Sequence, residues 1–256
     1  MARRPRLDLP GFHHIVNRGV AKGKVYRCDE DKEKFLKVLC KACKVYKVNI
    51  HDYCLMDNHY HLLIETTNEN LSLFMRQVNS NYAIYFNKKY KRSGHLWQGR
   101  YKSWYIINEA YLYTLFRYIE HNPIKAKMSQ NIGEYPFTLL ATLLNKEQEV
   151  ISCAKHSKLK KEYHYEGIQE LLEKPLNTKE QKDLEAEQKK KIVQTEHEFR
   201  QTKEITLEKH FQNSIDLPLR NSAIIQALDD GYGQAEIARY LGVSAALVSY
   251  VFKSFK

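Results

Sequence analysis

The stretch VNIHDYCLMDNHYHLLIE, residues 48–65, decides the fold. Residues 48–56 and 59–65 are rich in β-branched, aromatic and aliphatic side chains and read as two strands, with Asp57-Asn58 as the turn between them. Strands joined by so short a turn pair antiparallel. Side chains alternate faces along a strand, so His59 and His61 share a face. Imidazole is the commonest metal ligand among side chains. The pair therefore reads as half a metal site walled by Leu62, Leu63 and Ile64. Two partly buried histidines bonded to neighbouring backbone groups would show the same spacing, and both readings stay open on spacing alone.

Outward from this hairpin the pattern is regular. Phe12 to Val16 reads as a strand. Asp29 to Lys47 is amphipathic, with Phe35, Val38, Leu39, Ala42 and Val45 on one face and lysines opposite. Asn70 is expected to cap a helix running to about Lys88, with Leu71, Phe74, Met75, Val78 and Tyr82 at helical spacing. Trp97 to Ile106 contains a further strand. Asn108 is expected to cap a third helix that ends near His121, because Pro123 disfavours helical geometry at the residue before it. The order β-α-β-β-α-β-α predicts an α+β fold, a ferredoxin-like antiparallel sheet with helices on one face.

The chain has 256 residues, 43% of them hydrophobic, and a net charge of +11. That balance points to a polyanionic partner, nucleic acid first. The five cysteines are odd in number and scattered, which argues against a secreted disulfide framework; Cys40 and Cys43 are expected to pack on a helix. No apolar run long enough to span a membrane occurs, and the N-terminal segment lacks the pattern of a signal peptide, so the expected location is cytoplasmic and nucleoid-associated. Three segments are expected: 1–150 as the main domain, 151–220 as a charged helical or flexible linker, and 221–256 as a small all-α unit. In the last, Gln234 to Ser249 has helix-turn-helix spacing, with Ala235 and Ile237 packed, Gly242 at the turn, Ser244 as cap and Val243, Leu247 and Val248 buried. A helical hairpin of no special role is the other reading. Ser244, Ser249 and Lys253 are its candidate DNA contacts.

The third predicted helix carries the chemistry. Leu112, Leu115, Phe116 and Ile119 form its core face, Tyr118 lies at the edge, and Asn122 follows one turn on. An Asn carbonyl oxygen is a hard ligand suited to Mg²⁺ or Mn²⁺. His59, His61 and Asn122 would leave positions open for a phosphate oxygen. A tyrosine beside them is a candidate nucleophile toward a phosphodiester. His121 is a rival third ligand, set about 100° around the helix from Asn122.

Four motifs in order resemble the REP-associated tyrosine transposases, relatives of the IS200/IS605-type single-strand transposases (Y1 enzymes of the HUH fold). Arg3 to Gly19, with Pro10-Gly11, His14 and Asn17-Arg18-Gly19, looks like the opening strand. Met56-Asp57-Asn58-His59-Tyr60-His61-Leu62-Leu63 is similar to the HUH strand, with Tyr60 where a smaller apolar residue is common. Gly94 to Ser103 looks like a glycine-flanked basic strand, and Tyr118 to Ala126 resembles the nucleophile helix. Tyr135-Pro136-Phe137-Thr138 matches only loosely. The resemblance covers residues 1 to about 145. It implies that His59 and His61 bind Mg²⁺ or Mn²⁺ with Asn122 as third ligand, that Tyr118 is the nucleophile, and that the substrate is single-stranded DNA beside a hairpin, handled by a monomer or homodimer. Arg18, Lys88, Lys89, Lys91, Arg92, Arg100 and Lys102 are then expected to contact phosphates, with Trp97, Tyr101 and Tyr105 available to stack bases. The alternative function is a domesticated regulator that binds hairpin repeats without chemistry.

Overall fold

The computed structural model describes residues 8–106, 109–145, 151–162, 165–189, 192–194, 199–201, 205–212 and 216–254. It divides into two compact units, 1–184 and 185–256.

The first unit is built on four strands: β1 (Gly11–Arg18), β2 (Val48–Met56), β3 (His59–Thr66) and β4 (Lys102–Ile106). They lie in the order β2-β3-β1-β4, and every neighbouring pair is antiparallel. This is the ferredoxin-like arrangement of an HUH-type fold, as the order of elements predicts. Helix α1 (Asp29–Tyr46) connects β1 to β2, and α2 (Leu71–Lys89) connects β3 to β4. The 97–106 stretch is shorter as a strand than expected, since only its second half joins the sheet. The Asn70 side chain does not cap α2 but donates to the Tyr46 carbonyl, 2.8 Å away. Asn108 lies outside the described residues.

Alternation along β3 sorts the helices. Tyr60, Leu62 and Ile64 point to one face and are fully buried there. Tyr60 packs on Phe35 of α1, with ring centroids 4.9 Å apart, and donates to Asn79 of α2 at 2.9 Å. The bulk at position 60 is thus absorbed between the two crossover helices. The opposite face carries His59 and His61, and there lies α3 (Glu109–Glu120), whose Tyr118 ring sits 5.6 Å from that of His61. The expectation of helices on a single face therefore holds for α1 and α2 and not for α3. A short α4 (Asn122–Lys125) follows α3, and then residues 135–138 run beside β2. Phe137 accepts from the Leu55 amide at 3.0 Å, and Tyr135 donates to the Leu55 carbonyl at 2.7 Å. The open edge of the sheet is covered in this way.

The chain continues through α5 (Leu139–Leu144), α6 (Lys158–Glu162), α7 (Tyr165–Glu173) and α8 (Thr178–Lys189). Ala154, Leu159, Ile168, Leu172 and Leu184 join the same hydrophobic core as the sheet. Cys40 of α1 is bonded to Cys153 by a disulfide, so Cys40 has a covalent role that its place in the sequence does not reveal.

In the second unit a small hairpin, β5 (Ile192–Gln194) and β6 (Phe199–Gln201), precedes α9 (Leu207–Phe211), α10 (Leu217–Asp229), α11 (Gln234–Leu241) and α12 (Ala245–Ser254). Ile224, Ala227, Ile237, Ala238, Val248 and Val251 form its core. Helices α11 and α12 make the helix-turn-helix. Gly242 adopts the left-handed conformation (φ 66°) at the turn, and Ser244 caps α12 by accepting from the Leu247 amide at 3.2 Å. Ala235, expected to pack, is exposed; Ala238 takes that place.

Two measurements test this packing. Leu62→Ala, in the middle of β3, is expected to lower the unfolding free energy by about 2–5 kcal/mol in urea titrations. Asp31 is fully buried at the start of α1 and accepts from Lys89, Tyr85, Tyr90 and the Arg27 amide. Burial alone would raise its carboxyl, but those donors prevail and hold it at about 2. With the folded value below the unfolded one, the stabilisation is complete above about pH 4 and is lost as pH falls through about 2. The wild type is expected to lose about 2 kcal/mol more than Asp31→Asn over that descent.

Candidate functional site

The register of β1 against β3 assembles the site. Arg18 lies opposite His59, Val16 opposite His61, and His14 opposite Leu63. On the other side of β1, Lys102 lies opposite Val16 and Trp104 opposite His14. Directly paired residues share a face, so His14, Arg18, His59, His61, Lys102 and Trp104 all project toward α3. The ring of Tyr118 stands edge-on to His61 at 5.6 Å and to His14 at 6.0 Å. The Lys125 ammonium lies 5.1 Å from the centre of the Tyr118 ring.

The histidines are held neutral. Burial pushes His14 down to about 3. Burial, helped by the Arg18 charge, pushes His59 down to about 4. His61 is lowered well below the usual range by burial and by His14, His59 and Arg18. Neutral imidazole is the form that ligates a metal. The Asn58 amide donates to the Lys22 carbonyl at 3.0 Å, which fixes its oxygen toward His59 Nδ1 at 2.6 Å. His59 must then donate from Nδ1, and its Nε2 keeps a lone pair.

Two carboxyls fasten α3 beneath this face. Glu120 and Asp52 are both buried. Glu120 accepts from the Leu140 amide at 2.8 Å and Asp52 from the Tyr53 amide at 2.8 Å. Burial pushes Glu120 up to about 7 and, with the Glu120 charge beside it, raises Asp52 well above the usual range. A protonated Asp52 can donate to Glu120, so the pair ties the helix to β2 without two bare charges.

The two candidates for third ligand have different surroundings. His121 is buried, and its Nε2 lies 2.7 Å from the Leu172 carbonyl on α7, so it is committed to the fold. The Asn122 amide donates to the carbonyls of Tyr118 (2.8 Å) and Ile119 (3.3 Å), which leaves the oxygen as the end available to a ligand. Among the described residues no group of three or more His, Cys, Asp and Glu side chains is disposed to hold a metal. A divalent ion here would thus take two imidazoles and require its third protein ligand from an amide oxygen, and Asn122 supplies that chemistry.

The residues expected to contact DNA differ in exposure and in the partners they hold. Residues 1–145 hold 23 Lys and Arg against 12 Asp and Glu, so the whole net charge of +11 lies in that segment. Arg18 and Lys102 are exposed on the histidine face. Arg100, Lys88 and Lys91 are exposed as well. Lys89 is engaged with Glu30 and Asp31, each at 2.8 Å, and Arg92 lies over Phe86, 5.6 Å from its centre. Ser244 serves as a cap and Ser249 is half-buried, while the Lys253 side chain lies outside the described residues. Trp97 donates to the Asn79 carbonyl on the α1–α2 side of the sheet, Tyr101 is buried, and Tyr105 donates to the Pro10 carbonyl. The aromatic on the site face is Trp104, stacked on His14 at 5.2 Å. Its alternation with Lys102 along β4 was the available signal.

Two histidines around one large residue on a central strand, with a helix-borne tyrosine over the same face, define an HUH-type nuclease site. Residues 12–122 match the family model described as transposase IS200-like. That match supports a transposase-type DNA nuclease function in general. No curated protein matches the chain in sequence. Among solved structures, a REP-associated tyrosine transposase bound to a REP hairpin is 15% identical, with a TM-score of 0.47 over 61% of this chain and 98% of that one. A putative transposase from Deinococcus radiodurans is 16% identical, with a TM-score of 0.34 over 47% and 97%. The tRNA(His) guanylyltransferase of Saccharomyces cerevisiae is 14% identical, with a TM-score of 0.34 over 77% and 84%. No single helix among the described residues is long and apolar enough to cross a membrane.

If His121 is a structural residue, His121→Ala leaves the buried Leu172 carbonyl without its donor. The expected loss is about 1–2 kcal/mol of unfolding free energy in urea.

Proposed function

We propose that the chain is a metal-dependent strand transferase of the REP-associated type, which cuts and rejoins single-stranded DNA beside a hairpin through Tyr118. The observation that carries this reading is the Tyr118 ring placed over His61 and His14 on the sheet face where three neutral imidazoles stand together. The Tyr118 hydroxyl loses its proton and its oxygen attacks the scissile phosphorus. The P–O3′ bond breaks, the 3′ oxygen takes a proton, and a 5′-phosphotyrosine remains. Rejoining reverses these steps: a 3′-hydroxyl attacks the phosphotyrosine and Tyr118 leaves, so no nucleotide cofactor is consumed.

His59, His61 and Asn122 would hold Mg²⁺ or Mn²⁺. Such an ion supplies charge neutralisation at the scissile phosphate, where negative charge builds in the transition state. The remaining work belongs to the chain. Arg18 and Lys102 flank the histidines and would bind the phosphates on either side of the reacting one. Trp104 offers a face on which an unpaired base can stack. The helix-turn-helix gives a second DNA contact through the start of α12, with Ser244, Ser249 and Lys253 as its candidate residues.

The test uses a labelled hairpin oligonucleotide with a single-stranded flank and Mn²⁺. Wild type is expected to yield a covalent protein–DNA adduct that survives denaturation. Tyr118→Phe and a chelator should each abolish it, while His59→Ala should lose cleavage but keep hairpin binding. An adduct that persists in Tyr118→Phe refutes the nucleophile. Tight hairpin binding with no adduct under any metal favours a non-catalytic regulator instead.

A further inference from the structure

We propose that His14 is the positioning residue of this site: its Nε2 accepts the Nδ1–H of His61 and so turns the Nε2 lone pair of His61 outward to a divalent ion. The inference rests on the metal reading given above and gives His14 a role that reading does not assign.

His14 Nε2 lies 3.1 Å from His61 Nδ1. The two rings are nearly parallel, 17° apart in plane with centroids 5.4 Å apart. Trp104 stacks on His14 at 5.2 Å, and the Tyr118 ring meets it edge-on. His14 is fully buried, so its ring is fixed by these neighbours rather than by solvent.

Only one proton fits between the two nitrogens. If His14 donates it, His61 carries its own proton on Nε2 and has no lone pair for a metal. If His61 donates it, Nε2 is free to ligate and His14 carries its proton on Nδ1. His14 Nδ1 is buried and has no partner, so the second arrangement leaves a donor unsatisfied. The pair is poised between two proton arrangements, and a ligand at His61 Nε2 selects one. His59 receives the same orientation from Asn58, by a neighbour in sequence rather than across the sheet. Both candidate ligands thus have an outer partner on Nδ1, the arrangement that fixes the tautomer of metal-bound histidine.

The test is Mn²⁺ affinity of the full chain, read by electron paramagnetic resonance, for wild type, His14→Leu and His14→Gln, with thermal melts confirming that each is folded. The Gln carbonyl reaches as far as His14 Nε2 and can accept the same proton. His14→Leu is expected to bind Mn²⁺ about 10–100-fold more weakly, and His14→Gln to recover most of that loss. In the Mg²⁺-loaded wild type, ¹⁵N spectra of labelled histidine should show His61 protonated at Nδ1. Unchanged affinity in folded His14→Leu, no recovery in His14→Gln, or a proton on His61 Nε2 overturns the proposal. A wild type that takes up no Mn²⁺ overturns the metal reading as well. Wild-type uptake with an indifferent His14→Leu overturns this inference alone.

Discussion

Everything at the site depends on the antiparallel ladder between β1 and β3. That register sets Arg18 against His59 and Val16 against His61, and with β4 it brings Trp104 onto His14. A slip of one residue would send the histidines to the α1–α2 side and replace them with Tyr60 and Leu62. The hydrophobic face prevents that slip. Ile15, Leu62 and Ile64 are fully buried against the crossover helices, and burying one such side chain stabilises by about 1.5–3 kcal/mol. The polar face is specified by what lies behind it.

The same burial sets the chemistry. Three imidazoles packed together would repel one another if charged, and desolvation keeps them neutral instead. The carboxyl pair beneath α3 follows the same rule, with a proton retained where two charges would be costly. Asp31 shows the opposite outcome. It is also buried, but four donors converge on it, and it stays ionised. Burial alone does not decide a group's charge; the count of donors aimed at it does.

The sheet was legible because alternation and helical spacing are local signals. The hairpin at 48–65, the two crossover helices and the helix-turn-helix all announce themselves in short windows. The pairing of His14 with His61 was not legible, since it joins residues 47 positions apart, and only the register of the assembled sheet brings them together. The side taken by α3 was hidden for a related reason, because an amphipathic helix declares which of its faces is apolar but not which layer it covers. The contact of His121 with the Leu172 carbonyl on α7 was hidden for the same reason, since it joins residues 51 positions apart. The Cys40–Cys153 bond spans 113 positions, and the C-x-x-C spacing of Cys40 and Cys43 gives no pointer to Cys153.

One feature beyond the sheet bears on where the working part of this protein stops. The helix that carries Tyr118 is gripped from outside by later chain: Arg117 pairs with Glu180 at 2.7 Å and donates to the Lys174 and Pro175 carbonyls, Tyr111 reaches the Leu184 carbonyl, and His121 reaches Leu172. All five attachment points lie past residue 122, where the family match ends. The segment that marks ancestry is therefore shorter than the segment that holds the tyrosine still. A piece of the chain cut after Asn122 would lose this splint, whereas one cut after Leu184 keeps it.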